Sequence, residues 1–336
     1  MRLREIALAA DVSVATVSRV AHGLHGVSAS LREKVLNNAR ALGVELEERN
    51  KSRVIAFLLS NRALLHPFHS SVLVGAEAYC AEHEYGLLFL TLRYSPSVPW
   101  KNLTIPPVLQ RAELIRAAIV AGTNSQNLLD LLARKGVPLV VLGNNVVGDW
   151  RKGAYSAVYF DDIEGAWEMT SYLLSLGHRH VAFLGNCRLP WFARRYEGYC
   201  RAMAEAGLQP LAREVDSQNG EDIGYLATKM IFNDGEKPTA LFAGEDAVAR
   251  GAYKAIRDRG MGIPKDISVA GFNDTSEASA LSPGLTTVRV FIEQLGRQMA
   301  EFVVERIASP ESSPRVITLP TQLVKRESCM PLRSKS

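Results

Sequence analysis

The residues near the start of this sequence have types and spacing suited to reading a polyanion. Arg19 offers a guanidinium fork, which can donate two hydrogen bonds to a guanine edge for about 1–3 kcal/mol of discrimination. Val14 and Ala15, just ahead of it, offer only apolar contact of the kind a thymine methyl accepts. The hydroxyls of Thr16, Ser18 and Ser28 suit phosphate oxygens, which fix position rather than sequence. Capping and turn chemistry is the competing use of the same hydroxyls. Enzymatic chemistry finds little support. Neither G-x-x-x-x-G-K-[ST] nor G-x-S-x-G occurs. Asp161, Asp162 and Asp246 are isolated carboxylates with helix capping as a local explanation. Cys80, Cys187, Cys200 and Cys329 lack C-x-x-C spacing, as expected of reduced thiols. His66 and His69 have no further metal ligands in view. No catalytic residue, metal or cofactor is expected.

The elements that would position those first residues are short. Ile6, Ala7 and Ala10 form one apolar stripe, Val17, Val20 and Ala21 a second, and Val35, Leu36, Ala39 and Leu42 a third. Asp11-Val12-Ser13 makes a tight polar turn between the first two, and Ser28 or Ser30 can cap the third. Two short helices across such a turn are what a helix-turn-helix requires, with the N-terminal side chains of the second helix facing base edges. Residues 1–44 carry +3 of the chain's net charge of +4, consistent with a nucleic-acid partner. Residues 45–53 are polar and read as a linker.

From residue 54 the texture changes. Strand-like apolar runs at 54–59, 87–92, 117–121 and 139–142 alternate with helical patterns at 70–83 and 126–135. The alternation resumes with strands at 181–184, 240–242 and 268–272 among helices at 163–176, 196–206, 223–232 and 247–259. Such alternation indicates βαβ units and mostly parallel sheets. Two series of similar length predict two α/β lobes with a ligand cleft between them, beyond the carboxyl ends of the strands. The 336 residues, 47% hydrophobic, suffice for more than one core. No run of about 18 apolar residues predicts a membrane span, and no signal-peptide pattern follows Met1, so a cytoplasmic location is expected.

At this level of detail the residues resemble a known family. Ile6-Ala7-x-x-Ala10-Asp11-Val12-Ser13-x-x-Thr16-Val17-Ser18-Arg19-Val20 is similar to the helix-turn-helix of the lactose and purine repressor family. Asp161-x-x-x-Gly165-Ala166, Leu173-Leu174-x-Leu176-Gly177-His178-Arg179, Arg194-Arg195-x-x-Gly198-Tyr199, residues 267–274, 285–288 and the tail from Leu319 to Ser328 follow in the family's order. The resemblance spans nearly the whole chain. It implies an all-α helix-turn-helix head joined to a two-lobed periplasmic-binding-protein-like domain with two parallel, doubly wound sheets. It also implies three crossings between lobes, near Val158, Leu285 and Leu319. The lobes would comprise 54–156 with 286–318 and 157–285 with 319–330, leaving 331–336 as a tail. The function implied is a sequence-specific regulator that binds a pseudopalindromic double-stranded operator as a homodimer, under control of a small polar effector, a sugar or sugar derivative. A regulator without effector control and a sugar-binding protein without a DNA role are the alternatives.

The same resemblance assigns effector contacts. Arg195 matches the family's ligand arginine, and Asn273 stands at a ligand aspartate, with Asp274 either a substitute for it or a turn or cap aspartate. His66-Pro67-Phe68-His69 aligns with a segment leading into the cleft, which makes Phe68 and His69 candidates to face the ligand, with packing under the loop as the alternative for Phe68. Glu245 replaces a common asparagine, Asn219 falls where many members place a stacking aromatic, Gly143-Asn144 replaces an aspartate motif, and Trp191 is a candidate aromatic face. Two departures concern DNA. His22 replaces an asparagine that follows the second helix, and it retains a phosphate contact only. Between Gly43 and Val54 there is neither Pro-Asn nor the Ala-x-x-Leu of a hinge helix, and Glu45, Glu47 and Glu48 bring negative charge toward the duplex. Leu46 is the sole candidate for a minor-groove wedge, and altered or absent DNA bending is expected.

Overall fold

The computed structural model describes residues 2–21, 27–44, 46, 52–62, 66–111 and 114–332. His22, Glu45, Glu47 and Glu48 lie outside the described residues. The head consists of α1 (Arg2–Ala9), α2 (Val14–Ala21) and α3 (Ala29–Ala41). Ile6, Ala7, Ala10, Val17, Val20, Ala21, Val35 and Ala39 close a single small core, as their spacing predicts. Asp11 takes a φ of 51°, a left-handed conformation that a short polar residue tolerates, and it reverses the chain between α1 and α2. Ser28, rather than Ser30, caps α3 by accepting from the Leu31 amide at 3.3 Å. Leu42 is not core as expected. It forms the C-cap of α3 and is 46% exposed, because the helix ends before its side chain can turn inward. Leu46 is buried in the head core, so it is not free to act as a wedge.

The rest of the chain runs through β1 (Val54–Ser60), α4 (Pro67–Glu82), β2 (Gly86–Leu92), β3 (Ala117–Gly122), β4 (Asn124–Ser125), α5 (Gln126–Arg134), β5 (Leu139–Leu142), β6 (Val146–Val147) and β7 (Ser156–Phe160). It continues with α6 (Asp162–Ser175), β8 (Val181–Gly185), α7 (Pro190–Glu205), β9 (Leu211–Glu214), α8 (Gly220–Asn233), β10 (Ala240–Ala243), α9 (Asp246–Asp258) and β11 (Ser268–Asn273). The last elements are α10 (Ser276–Ala280), β12 (Thr286–Val290), α11 (Ile292–Ala308), β13 (Val316–Leu319) and β14 (Thr321–Val324). One sheet has the order β13-β7-β5-β3-β1-β2 and the other β14-β12-β11-β10-β8-β9. All pairings are parallel except β12 with β14. Parallel strands covered on both faces should be apolar throughout, and β1 shows this. Ile55, Phe57 and Leu59 join one core, while Ala56 and Leu58 join another with Leu128 and Leu129.

Sheet membership moves two expected boundaries. β7 belongs to the first sheet, so the first crossing follows Phe160 rather than residue 156. β12 belongs to the second sheet, so 286–290 is not part of the first lobe and the second crossing follows Val290. The cause is local. Gly271 on the neighbouring strand lacks a Cβ that would lie 2.6 Å from both Leu285 and Asp246, which lets β12 dock there. The third crossing, at Pro320, lies between β13 and β14. Each lobe also has one helix pair locked through reciprocal glycines. A Cβ at Gly75 would stand 1.9 Å from the Glu293 carbonyl, and one at Gly296 would stand 2.0 Å from that of Val72. In the second lobe Gly224 meets Val248 and Gly251 meets Glu221 in the same way, at 1.8 and 2.0 Å.

Candidate effector cleft and DNA-reading head

The carboxyl ends of the strands in both sheets converge on one cleft. Arg62 follows the end of β1, His66 to His69 open α4, Asn145 follows β5, and Phe160 is the last residue of β7. From the other lobe come Trp191 and Arg195 on the first turns of α7, Glu245 just after β10, and Asn273 at the end of β11. Together with Phe68 and His69 these residues line a cavity with free space of about 20 Å³, room for one water-sized body. A second cavity of about 270 Å³ adjoins it, shares His66, Glu245 and Asn273, and is completed by Gln218, Asn219, Arg250, Thr275 and Glu277.

Arg195 is the centre of this arrangement. It is 2% exposed and lies over the Phe272 ring, 4.0 Å from its centroid. It donates to the Gly244 carbonyl at 2.5 Å and to Asn273 Oδ1 at 2.9 Å. Burial pulls its pKa down to about 10, against the opposing pull of Asp162, Glu245 and Asp246. Asn273 adopts a φ of 111°, unusual outside glycine, and the next residue shows what holds it there. Asp274 accepts from Arg289 Nε and Arg326 Nη2, both at 2.6 Å. Asp246, at the start of α9, accepts from the Thr275 amide at 2.8 Å and the Thr287 hydroxyl at 2.7 Å. Burial raises the Asp246 carboxyl to about 7, with the threonine donors opposing.

These contacts sort the expected effector residues. Phe68, His69, Trp191, Arg195, Glu245 and Asn273 meet in the smaller cavity. Asn219 caps α8 through the Glu221 amide and lines the larger one. Asp274 is the correction. Both carboxylate oxygens are taken by arginines, it lines neither cavity, and its role is to hold the loop behind Asn273. Asn144 likewise faces away, bonding the Phe160 backbone on both its amide and carbonyl sides, and the neighbouring Asn145 reaches the cleft. His178 and His180 serve structural turns through Thr239, Met330 and Lys237. Sequence reasoning missed Arg62 and Phe160. Their position at strand carboxyl ends was the available signal.

In the head, Val14, Ala15 and Arg19 are exposed on α2, while Val17 and Val20 point into the core. Thr16 and Ser18 are half-buried beside them. The Thr16 hydroxyl meets that of Ser13 at 2.8 Å, and Ser28 is an exposed cap.

A family model described as "Bacterial regulatory proteins, lacI family" matches residues 2–43, and one described as "Periplasmic binding protein-like domain" matches residues 170–329. The ribose operon repressor of Haemophilus influenzae is 30% identical over 98% of this chain and 99% of its own length. The chain belongs to the LacI family of bacterial regulators. The HTH-type regulator DegA of Bacillus subtilis is 28% identical over 98% of both chains. The regulator CelR in complex with cellobiose superposes with a TM-score of 0.72 at 25% identity, covering 97% of this chain and 99% of that one. A lac repressor dimer bound to operator shares the fold at a TM-score of 0.70 and 23% identity, covering 97% and 98%. As a LacI-family member the chain is a DNA-binding transcriptional regulator with a ligand-controlled two-lobed domain. No helix among the described residues is long and apolar enough to cross a membrane.

Proposed function

We propose that this regulator binds a pseudopalindromic operator as a homodimer and that a small polar effector of the sugar class, closed between the lobes, sets its operator affinity. The supporting observation is the convergence of Arg195, Asn273 and Glu245 from one lobe with His69 and Phe68 from the other on a single cleft. A ligand that touches both lobes changes their relative placement, and only differential affinity for two such states can move operator binding. The H. influenzae relative is a ribose repressor, and CelR holds cellobiose, which supports a sugar-like effector here. On the DNA side, Arg19 reads a base edge, Val14 and Ala15 contact apolar base surface, and Thr16, Ser18, Ser28 and His22 contact phosphates. The head is residues 1–44 and the linker 45–53. Leu46 sits in the head core, which supports a regulator that does not bend its operator with a leucine wedge.

The test is a pair of variants read by fluorescence anisotropy on a selected operator. Arg195→Ala abolishes the effector response and keeps operator binding. Arg19→Ala does the reverse. Loss of both properties in either variant contradicts the division of labour.

A further inference from the structure

The cleft contains an excess of unsatisfied donors. Six buried nitrogens that line its two cavities have no hydrogen-bond partner: Arg62 Nε, His66 Nδ1, His69 Nδ1, Trp191 Nε1, Arg195 Nε and Arg250 Nε, against one such acceptor near Arg195, Asp162 Oδ2. His69, Trp191 and Arg195 are 3, 4 and 2% exposed, so bulk solvent does not reach them. Asn145 Nδ2 lies 3.5 Å from His69 Nε2, and in the tautomer that accepts this amide the imidazole proton sits on Nδ1, the unpaired atom. The Arg62 guanidinium is stacked on Trp191, 4.1 Å from the ring centroid, which brings its donors beside the indole N–H.

The charges are also out of balance. Two guanidiniums line the smaller cavity against one carboxylate, Glu245, while the adjoining cavity adds Arg250 against Glu277 and Asp246, so the excess of positive charge is confined to the smaller cavity. Asp162, the next acid toward Arg195, bonds Arg194 through Oδ1 at 2.7 Å, and its Oδ2, without a hydrogen-bond partner, offsets part of the Arg195 charge. Asp246 accepts from Thr275 and Thr287, and burial pushes it toward its neutral form. Burial and the neighbouring Arg62 charge push His69 well below the usual histidine range, and burial also lowers His66. The imidazoles therefore add N–H donors without adding positive charge. Buried donors left unpaired and buried cations only partly compensated both cost free energy that a bound acceptor recovers. A neutral hydroxyl accepts a hydrogen bond but leaves the charge unbalanced. A carboxylate or phosphate does both, and it is the acceptor that arginine forks fit bidentately.

We propose that the effector is anionic, a sugar acid or sugar phosphate, one oxygen of whose oxyanion enters the smaller cavity among Arg62, Arg195, His69 and Trp191 while the rest of the molecule occupies the adjoining cavity beside Gln218, Asn219 and Thr275. This deepens the effector reading and rests on it, because the same cleft is used. Glu245 lies on the shared wall of the two cavities and accepts from the sugar hydroxyls.

The test uses the full chain with matched probes: D-ribose, D-ribonate and D-ribose 5-phosphate, then D-glucose, D-gluconate, D-glucuronate and D-glucose 6-phosphate. Thermal shift screens them and isothermal titration calorimetry ranks those that bind. The expected result is an acid or phosphate bound at least about tenfold more tightly than its neutral parent. In Arg62→Gln that preference collapses, since losing one charge-assisted hydrogen bond costs about tenfold or more in affinity. Trp191→Phe keeps an aromatic face, loses the indole donor and weakens the anion in the same direction. Which series binds, acids or phosphates, identifies the source of the oxyanion. The proposal is overturned if a neutral sugar binds as tightly as its acid, if Arg62→Gln keeps the anion preference, or if no anionic probe binds. Operator binding without ligand is measured on the same preparation. Its loss would count against the regulator reading and would leave the anion preference intact.

Discussion

Asp274→Asn separates a positioning carboxylate from a ligand-binding one. The substitution keeps shape and removes charge. In the native protein the Asp274 side chain is 5% exposed and bonds Arg289 and Arg326, whose side chains are 40 and 19% exposed. Breaking a buried pair from one side costs about 3–5 kcal/mol. The partial exposure of Arg289 lets water recover part of that, so the expected loss is nearer about 2–3 kcal/mol. At about 2–4 °C per kcal/mol for a domain of this size, the melting temperature falls by about 4–12 °C. Differential scanning calorimetry reads this, and effector titration at a temperature well below the transition reads the cleft. Asp274 touches neither cavity, so its effect on effector affinity is secondary to its effect on stability. An unchanged melting temperature with a large loss of effector binding would refute the reasoning and return Asp274 to the ligand.

Other expectations follow from particular residues. Arg19→Ala costs about 1–3 kcal/mol of discrimination at one base pair in each half-site, whereas Thr16→Ala weakens all sequences about equally, as binding to a randomised operator panel would show. Leu46→Ala, which empties part of the head core, costs roughly 2–3 kcal/mol of head stability by circular dichroism and leaves the operator's bend angle unchanged; the reverse pattern would restore the wedge. His69 has a folded pKa depressed below its ordinary 6.5 by burial and by Arg62 and His66. As pH falls through 6.5 the unfolded chain takes up a proton that the folded chain does not, so stability declines below pH 6.5 by up to about 1.4 kcal/mol per pH unit and is flat above it. His69→Gln removes that component of the slope, and an identical slope in the variant would disprove the assignment.

Much of this was legible before the fold was known. The head's stripes and the alternating apolar runs fix which residues face inward, and Val17, Val20, Phe57 and Phe242 are buried accordingly. Period alone does not say which sheet a strand joins, so β12 was assigned to the wrong lobe. Its place depends on Gly271 and on the Thr287 bond to Asp246, both distant in sequence. The cleft was partly legible. Arg195 and Asn273 follow from motif position, yet Arg62 matters through its stacking on Trp191, a contact between lobes that no local pattern encodes. The partners that settle Asp274 in a structural role are equally remote from it, since Arg289 and Arg326 lie 15 and 52 residues away.

The central claim is that cleft occupancy and operator affinity are coupled. The direct measurement selects an operator from randomised duplex DNA at fixed salt, then titrates it with the full chain in the absence and presence of a saturating sugar probe shown by calorimetry to bind. The account predicts one enriched pseudopalindromic site and a ligand-induced change in its affinity of about 5–150-fold, the range of ordinary allosteric coupling. An operator affinity that stays the same within error while the ligand demonstrably fills the cleft would contradict it.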